Sequence, residues 1–135
     1  MTRNLIILKA VSGAGKTTFC DLIKGPKVVC CADDYFYDIY GNYNFDATKL
    51  GHAHAHCRDT FDDAVESIEV ENIIIANTNT KPADYAYYVN QATKAGFVIT
   101  FVVLEKRHEN ENVHNVPLQV LERQAANIKQ NLKLM

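Results

Sequence analysis

The chain has 135 residues, enough for one compact domain with a buried core, so we expect a single domain over residues 1–135. Hydrophobic residues make up 47% and charged residues 22% of the chain, a composition typical of globular proteins rather than disordered or fibrous ones. The net charge of −2 excludes a broad basic field for nucleic acid, and no apolar run approaches the ~20 residues that cross a bilayer. Because no signal-peptide pattern is present either, the expected location is the cytoplasm, with no membrane partner.

Short apolar runs and helical periodicity alternate along the chain. Gly25 and Pro26 end the first predicted helix, Pro82 suits the first turn of the third, and Gly96 caps it. The predicted strands are 4–10, 27–32, 73–76 and 97–104, and the predicted helices are 16–24, 47–67, 82–95 and the segment after Pro117, with loops over 38–45 and 105–112. This alternation predicts an α/β fold with a parallel sheet of about four strands, helices on both faces, and ligands beyond the carboxyl ends of the strands.

The last predicted helix carries apolar residues at helical spacing, which we expect to face the sheet. They are Leu118, Leu121, Ala125, Ile128 and Leu132.

Four cysteines occur, and two of them, Cys30 and Cys31, are adjacent at the end of the second predicted strand. Neighbouring side chains of a strand point to opposite faces of the sheet. We therefore expect reduced thiols that contribute to packing on both faces rather than a disulfide.

The segment between the first strand and the first helix reads A-V-S-G-A-G-K-T over residues 10–17, which we call the phosphate loop. It fits the pattern G-x-x-x-x-G-K-[ST], with alanine at the first glycine. Such a loop turns backbone N–H groups towards phosphates, and the lysine reaches the outer phosphates. The pattern predicts a three-layer P-loop NTPase fold that binds ATP and Mg²⁺, with Thr17 as metal ligand. The predicted nucleotide-binding residues are Ser12, Gly13, Ala14, Gly15, Lys16, Thr17 and Thr18.

Polar side chains follow the second and third predicted strands, at the same edge of the sheet. Asp33 and Asp34 could supply a carboxylate that accepts a proton from an attacking hydroxyl, or they could cap a helix. Asn77 and Asn79 could hold a phosphate, a metal-bound water or the aspartates, or they could serve as ordinary turn and cap residues.

Three histidines close in sequence, at 52, 54 and 56, raise the question of a metal site. Residues two apart on a helix point in roughly opposite directions, so His52, His54 and His56 cannot converge on one ion, and a histidine that faces substrate is favoured. The aromatic residues between 35 and 45 could stack nucleobases or pack a loop onto the domain.

With these residues placed, the chain resembles the phage-type polynucleotide 5′-hydroxyl kinases and the related P-loop kinase domains of ubiquitin-ligase-binding adaptor proteins. The resemblance covers almost the full length. It rests on the order and spacing of the segments 12–18, 32–36, 53–54, 77–79 and 112–117.

The resemblance implies an ATP-dependent kinase in which Lys16 serves the transferring phosphoryl group and Asp33 activates the substrate hydroxyl. The implied acceptor is a nucleic-acid 5′-hydroxyl, so the expected partners are a nucleoside triphosphate and nucleic-acid ends. The residues expected on the substrate side are Asp34, Tyr35, His54, Asn77 and Asn79. Two alternatives stay open: a kinase of small molecules or nucleotides, and a catalytically weak ATP-binding regulator.

The family also places a basic residue in the lid before the last helix. Here Glu111 stands where the family pattern favours arginine, so Arg107, with Lys106 as alternative, is the expected catalytic cation. Two further departures are Phe36, where the phage enzymes have arginine, and Ala76, where the adaptor domains have aspartate.

Overall fold

The computed structural model describes residues 2–105 and 116–130. Strands and helices alternate along it, and two short 3-10 helices, Ala32–Phe36 and Ala47–Lys49, lie between the second strand and the second α-helix. The strands are β1 (Asn4–Ala10), β2 (Lys27–Cys30), β3 (Asn72–Ile75) and β4 (Val98–Leu104). The α-helices are α1 (Lys16–Leu22), α2 (Leu50–Glu66), α3 (Pro82–Lys94) and α4 (Leu118–Gln130).

The four strands form one sheet in the order β2-β3-β1-β4, and every pairing is parallel. In this register Asn4 of β1 lies between Asn72 of β3 and Val98 of β4. Because all strands run the same way, their carboxyl ends, and the segments that follow them, meet at one edge of the sheet.

Helices cover both faces of this sheet. On one face α2 and α3 pack through Phe61, Cys57 and Tyr88 against β1 and β3. On the other face α1 packs through Cys20 against Leu8 and Ile74. The predicted three-layer α/β architecture with four parallel strands is therefore confirmed.

Two predicted boundaries were wrong for a local reason. β2 ends at Cys30 rather than at 32, because Ala32 begins a 3-10 helix and its N–H donates to Asn77 Oδ1 at 2.8 Å. The second α-helix begins at Leu50 rather than at 47, because Asp46 caps a separate 3-10 turn by accepting from the Thr48 N–H at 3.0 Å. The other boundaries differ by two residues or fewer.

The cysteines lie as the strand geometry predicted. Cys30 is buried in the cluster beneath α2 and α3, whereas Cys31 packs against the cluster beneath α1. All four cysteines are free thiols. In the part of the chain that the structure describes, no helix is both long and apolar enough to cross a membrane.

Candidate functional site

The phosphate loop connects β1 to α1 at the carboxyl edge of the sheet. Gly13 and Gly15 adopt left-handed backbone conformations, with φ of 82° and 97°. A Cβ added to Gly15 would meet no atom within 4 Å, so this conformation rather than lack of space favours glycine there. Gly15 is also the N-cap of α1, so the loop delivers its N–H groups and the positive end of the helix to the same place.

A cavity of about 530 Å³ opens beside this loop, at the carboxyl ends of β1, β2 and β3. Its wall combines segments that are far apart in sequence: the phosphate loop, the 3-10 helix after β2, helix α2, the segment after β3, and helix α4. The polar side chains on the wall include those of Ser12, Lys16, Asp33, Tyr43, His54, Asn77, Thr78, Arg123 and Gln124.

Lys16 and Asp33 are two of the three charged residues that the sequence predicted for phosphoryl transfer, and they line the same cavity. The third, Arg107, lies outside the described residues. Burial lowers the pKa of the Lys16 ammonium, while the nearby Cys31 and Asp33 act in the opposite direction. The phenol of Tyr43 donates to Asp33 Oδ1 at 3.3 Å. Burial and the Asp33 carboxylate raise the pKa of Tyr43 to about 12, so the phenol keeps its proton and stays a donor.

Asn77 lines the cavity and also organises its wall. Its Oδ1 accepts from the Ala32 N–H, one residue before Asp33, and its Nδ2 contacts Cys57 Sγ at 3.6 Å. The Tyr88 hydroxyl contacts the same sulfur at 3.2 Å. Asn77 thus ties the end of β3 to the segment that carries Asp33.

Asn79, expected on the substrate side, lies elsewhere. Its side chain is buried, with 1% of its surface exposed, and does not line the cavity. Its amide donates to the carbonyl oxygens of Leu8 at 2.6 Å, Ile75 at 3.2 Å and Asn77 at 3.3 Å. Asn79 therefore joins the ends of β1 and β3 behind the site.

Asp34 and Tyr35 also lie off this cavity. Tyr35 lines an adjoining open groove of about 760 Å³, where its ring centroid lies 5.9 Å from that of His56. Partial burial and the Asp33 carboxylate raise the pKa of Asp34, while His56 lowers it. Phe36 and Phe45 line both the groove and the cavity, so the two spaces are neighbours.

The three histidines lie on helix α2, where residues two apart point in roughly opposite directions. Only His54 of the three lines the cavity. The described residues include no group of three or more histidine, cysteine or acidic side chains placed to hold a metal ion. Arg107, Lys106 and Glu111 lie outside the described residues.

Helix α4 agrees with the prediction only in part: Leu121 of the predicted stripe is partly buried, two other residues of the stripe are exposed, and Leu132 lies outside the described residues. Leu118 is 69% exposed and Ala125 is exposed, whereas Val120 and Gln124 are partly buried at the cavity and Ile128 is buried. In this orientation Gln124 Oε1 accepts from the Ser12 N–H at 3.1 Å, so a polar contact joins the helix to the phosphate loop.

Sequence reasoning missed Arg123 and Gln124 as site residues. The signal was present but weak: both are polar side chains on a helix that begins at the carboxyl edge, and both lie off its predicted apolar stripe. The direction in which such side chains point depends on how the helix docks, which a single sequence does not show.

No family model matches the chain. It is 32% identical over 100 residues to human NEDD4-binding protein 2, and the match covers 72% of this chain but only 6% of that protein.

Three solved structures are similar in fold. A chain of the Pnkp1/Rnl/Hen1 complex superposes with a TM-score of 0.58 at 19% identity, covering 90% of this chain and 38% of that one. The Cys556Ala mutant of the Mycobacterium tuberculosis APS kinase CysC superposes with a TM-score of 0.54 at 11% identity, covering 95% of this chain and 98% of that one. The same kinase in complex with AMPPNP and APS superposes with a TM-score of 0.50 at 14% identity, covering 91% of this chain and 68% of that one. The chain therefore has a P-loop kinase-like fold.

Proposed function

We propose that this chain is an ATP-dependent kinase that transfers the γ-phosphoryl group to a hydroxyl, with a polynucleotide 5′-hydroxyl as the acceptor. The observation that carries the proposal is the placement of Lys16 and Asp33 on one cavity beside the phosphate loop. A cation for the phosphoryl group and a carboxylate for the hydroxyl proton are the two charges that this reaction needs at its centre.

The residues divide the reaction between them. Lys16 holds the triphosphate together with the N–H groups of the phosphate loop other than those of Ser12 and Ala14, which donate within the protein, and Asp33 faces the acceptor. The acceptor oxygen forms a bond to the γ-phosphorus while the bond from that phosphorus to the β–γ bridging oxygen breaks, which releases ADP. The proton of the acceptor hydroxyl passes to the Asp33 carboxylate.

The donor set of the site fits Mg²⁺ bound mainly by the nucleotide. Mg²⁺ in kinase sites takes most of its ligands from phosphates and water and only one or two from protein. The Thr17 side chain lies exposed at the start of α1, and no residue of the described ranges makes a hydrogen bond to its hydroxyl. Thr17 is therefore the proposed protein ligand, and the ion would neutralise charge that develops on the phosphates.

The groove beside the cavity supports an acceptor that carries a nucleobase. Tyr35 and Phe45 line it and are 39% and 54% exposed, so a nucleobase in the groove would meet the exposed faces of these rings.

The same groove favours a second candidate, a small nucleoside or nucleotide acceptor. Asp38 and Asp46 line it, and hydrogen bonds from neighbouring residues lower the pKa of both carboxyl groups, so both are charged at neutral pH. Lys49 also lines the groove, so the two carboxylates leave one net negative charge there, which repels the backbone of a long polyanion more than a neutral nucleoside.

The test is a transfer assay with labelled ATP against DNA, RNA, nucleosides, nucleotides and small metabolites. Asp33→Asn keeps the shape of the side chain and removes the proton acceptor, so the transfer rate should fall by roughly 10²–10⁴ while ATP affinity hardly changes. Asp34→Asn is the matched control, because Asp34 is the adjacent carboxylate but does not line the cavity.

A collapse of ATP affinity in Asp33→Asn would show that Asp33 is a nucleotide or metal ligand rather than the base. Tight ATP binding by the wild-type protein without transfer to any acceptor would replace the kinase proposal with that of an ATP-binding regulator.

A further inference from the structure

We infer that Arg123 is a catalytic residue of this site, whose guanidinium binds the γ-phosphate oxygens across the cavity from Lys16. This inference rests on the proposed function, because it assigns a second cation to the same phosphoryl group. The expected cation, Arg107, belongs to the segment outside the described residues, whereas Arg123 lies on the wall of the cavity itself.

The position of Arg123 follows from how α4 meets the phosphate loop. Gln124 Oε1 lies 3.1 Å from the Ser12 nitrogen and 3.5 Å from the Ser12 hydroxyl oxygen, so this turn of α4 is attached to the loop. Val120 and Arg123, three residues apart on the helix, line the cavity together with Gln124. The guanidinium therefore starts from a backbone position next to the phosphate loop, on the cavity side of the helix.

Within the described ranges, the contacts of the other two arginines show that Arg123 differs from them. Arg3 donates to the carbonyl oxygens of Ala64, Val65, Ser67 and Val70, at distances between 2.9 and 3.0 Å. Arg58 lies over the ring of Tyr87, 5.3 Å from its centroid. Arg123 is exposed and makes no hydrogen bond, ion pair or ring contact with any residue in 2–105 or 116–130. Its donors are thus available to a ligand.

The charges on the cavity wall support the same assignment. Lys16 and Arg123 are its only lysine and arginine within the described ranges, and Asp33 is its only acidic residue there. A transferring phosphoryl group spreads negative charge over three oxygens, more than one compact ammonium group can contact. The planar guanidinium can bind two of these oxygens at once, which a lysine cannot reproduce.

The experiment measures nucleotide binding before it measures transfer. Wild type, Arg123→Ala, Arg123→Lys and the control Arg58→Ala are titrated with ATP and with ADP, each with Mg²⁺, and the fold of each variant is checked by circular dichroism. Because ADP lacks the γ-phosphate, we expect Arg123→Ala to weaken ATP binding by about tenfold or more and to leave ADP binding within about twofold. Arg58→Ala, whose side chain lies outside the cavity, should change neither affinity.

Where an acceptor has been found, the transfer rate provides a second measurement. Arg123→Ala should lower kcat by about 10³-fold, the lower end of the effect of an arginine at a transferring phosphoryl group. Arg123→Lys should recover only part of this loss, because lysine lacks the bidentate geometry.

Several results would overturn the inference. If Arg123→Ala weakened ATP binding and ADP binding equally, Arg123 would lie away from the γ-phosphate. If the variant changed neither affinity nor kcat, Arg123 would have no role in the site. Loss of the ATP preference in Arg107→Ala but not in Arg123→Ala would assign the cation to Arg107. If the wild-type protein transfers phosphate to no acceptor, the kinase proposal fails, but the comparison of ATP with ADP still decides the placement of Arg123.

Discussion

Substitution of Asn79 should separate a structural role from a role in the site. Its buried amide donates to three carbonyl oxygens at the ends of β1 and β3, and its backbone has a φ of 51°. Asn79→Gly removes the donors but suits the left-handed backbone, and the orphaned carbonyls should cost about 1–3 kcal/mol of unfolding free energy. Asn79→Ala should cost about 1–2 kcal/mol more, because alanine disfavours that conformation.

Asn79→Asp should be the most damaging of the three substitutions. It turns a carboxylate towards the oxygens of Leu8, Ile75 and Asn77, so a buried negative charge would face three acceptors.

Urea unfolding monitored by circular dichroism measures this series. With an m-value of about 1–3 kcal/mol/M for a small protein, we expect the midpoint to fall by about 1 M in Asn79→Gly and further in Asn79→Ala. ATP affinity per folded molecule should not change, because Asn79 does not line the cavity. Unaltered midpoints with weakened ATP or acceptor binding would refute this reasoning and restore the substrate role expected from sequence.

Two further predictions concern the metal and the thiols. Thr17→Ala should weaken ATP binding more in Mg²⁺ than in its absence, and equal effects in both buffers would contradict the ligand assignment. Burial, followed by the Asp34 carboxylate, raises the pKa of Cys31 from 9.0 to about 11, so at pH 8 its thiolate fraction should be about a hundredfold below that of an ordinary thiol. Alkylation of Cys31, followed by peptide mapping, should therefore rise about tenfold per pH unit from 7 to 10, and a plateau near pH 9 would show that the pKa is not raised.

The local features of this protein could be predicted from short stretches of sequence. The phosphate loop needs only glycines at two left-handed positions, a lysine and a following helix, all within residues 10–17. The parallel sheet follows from apolar strands alternating with helices, because a crossover between parallel strands requires an intervening segment. The placement of Asp33 near Lys16 follows in turn, since parallel strands bring their carboxyl ends to one edge.

What the tertiary structure alone decided is the direction of individual side chains between distant segments. Asn77 and Asn79 are two residues apart in the segment after β3, yet one lines the cavity and the other is buried away from it, because the left-handed backbone at Asn79 turns its amide towards the end of β1.

Helix α4 shows the same limit over a longer distance. Its apolar spacing was evident, but the face that meets the loop carries Gln124, in contact with Ser12 112 positions earlier, and Arg123, which lines the cavity. Such a contact depends on how whole helices and strands dock, and the periodicity within one helix carries no information about that docking. The phosphate loop, in contrast, depends on backbone conformations that its own residues favour.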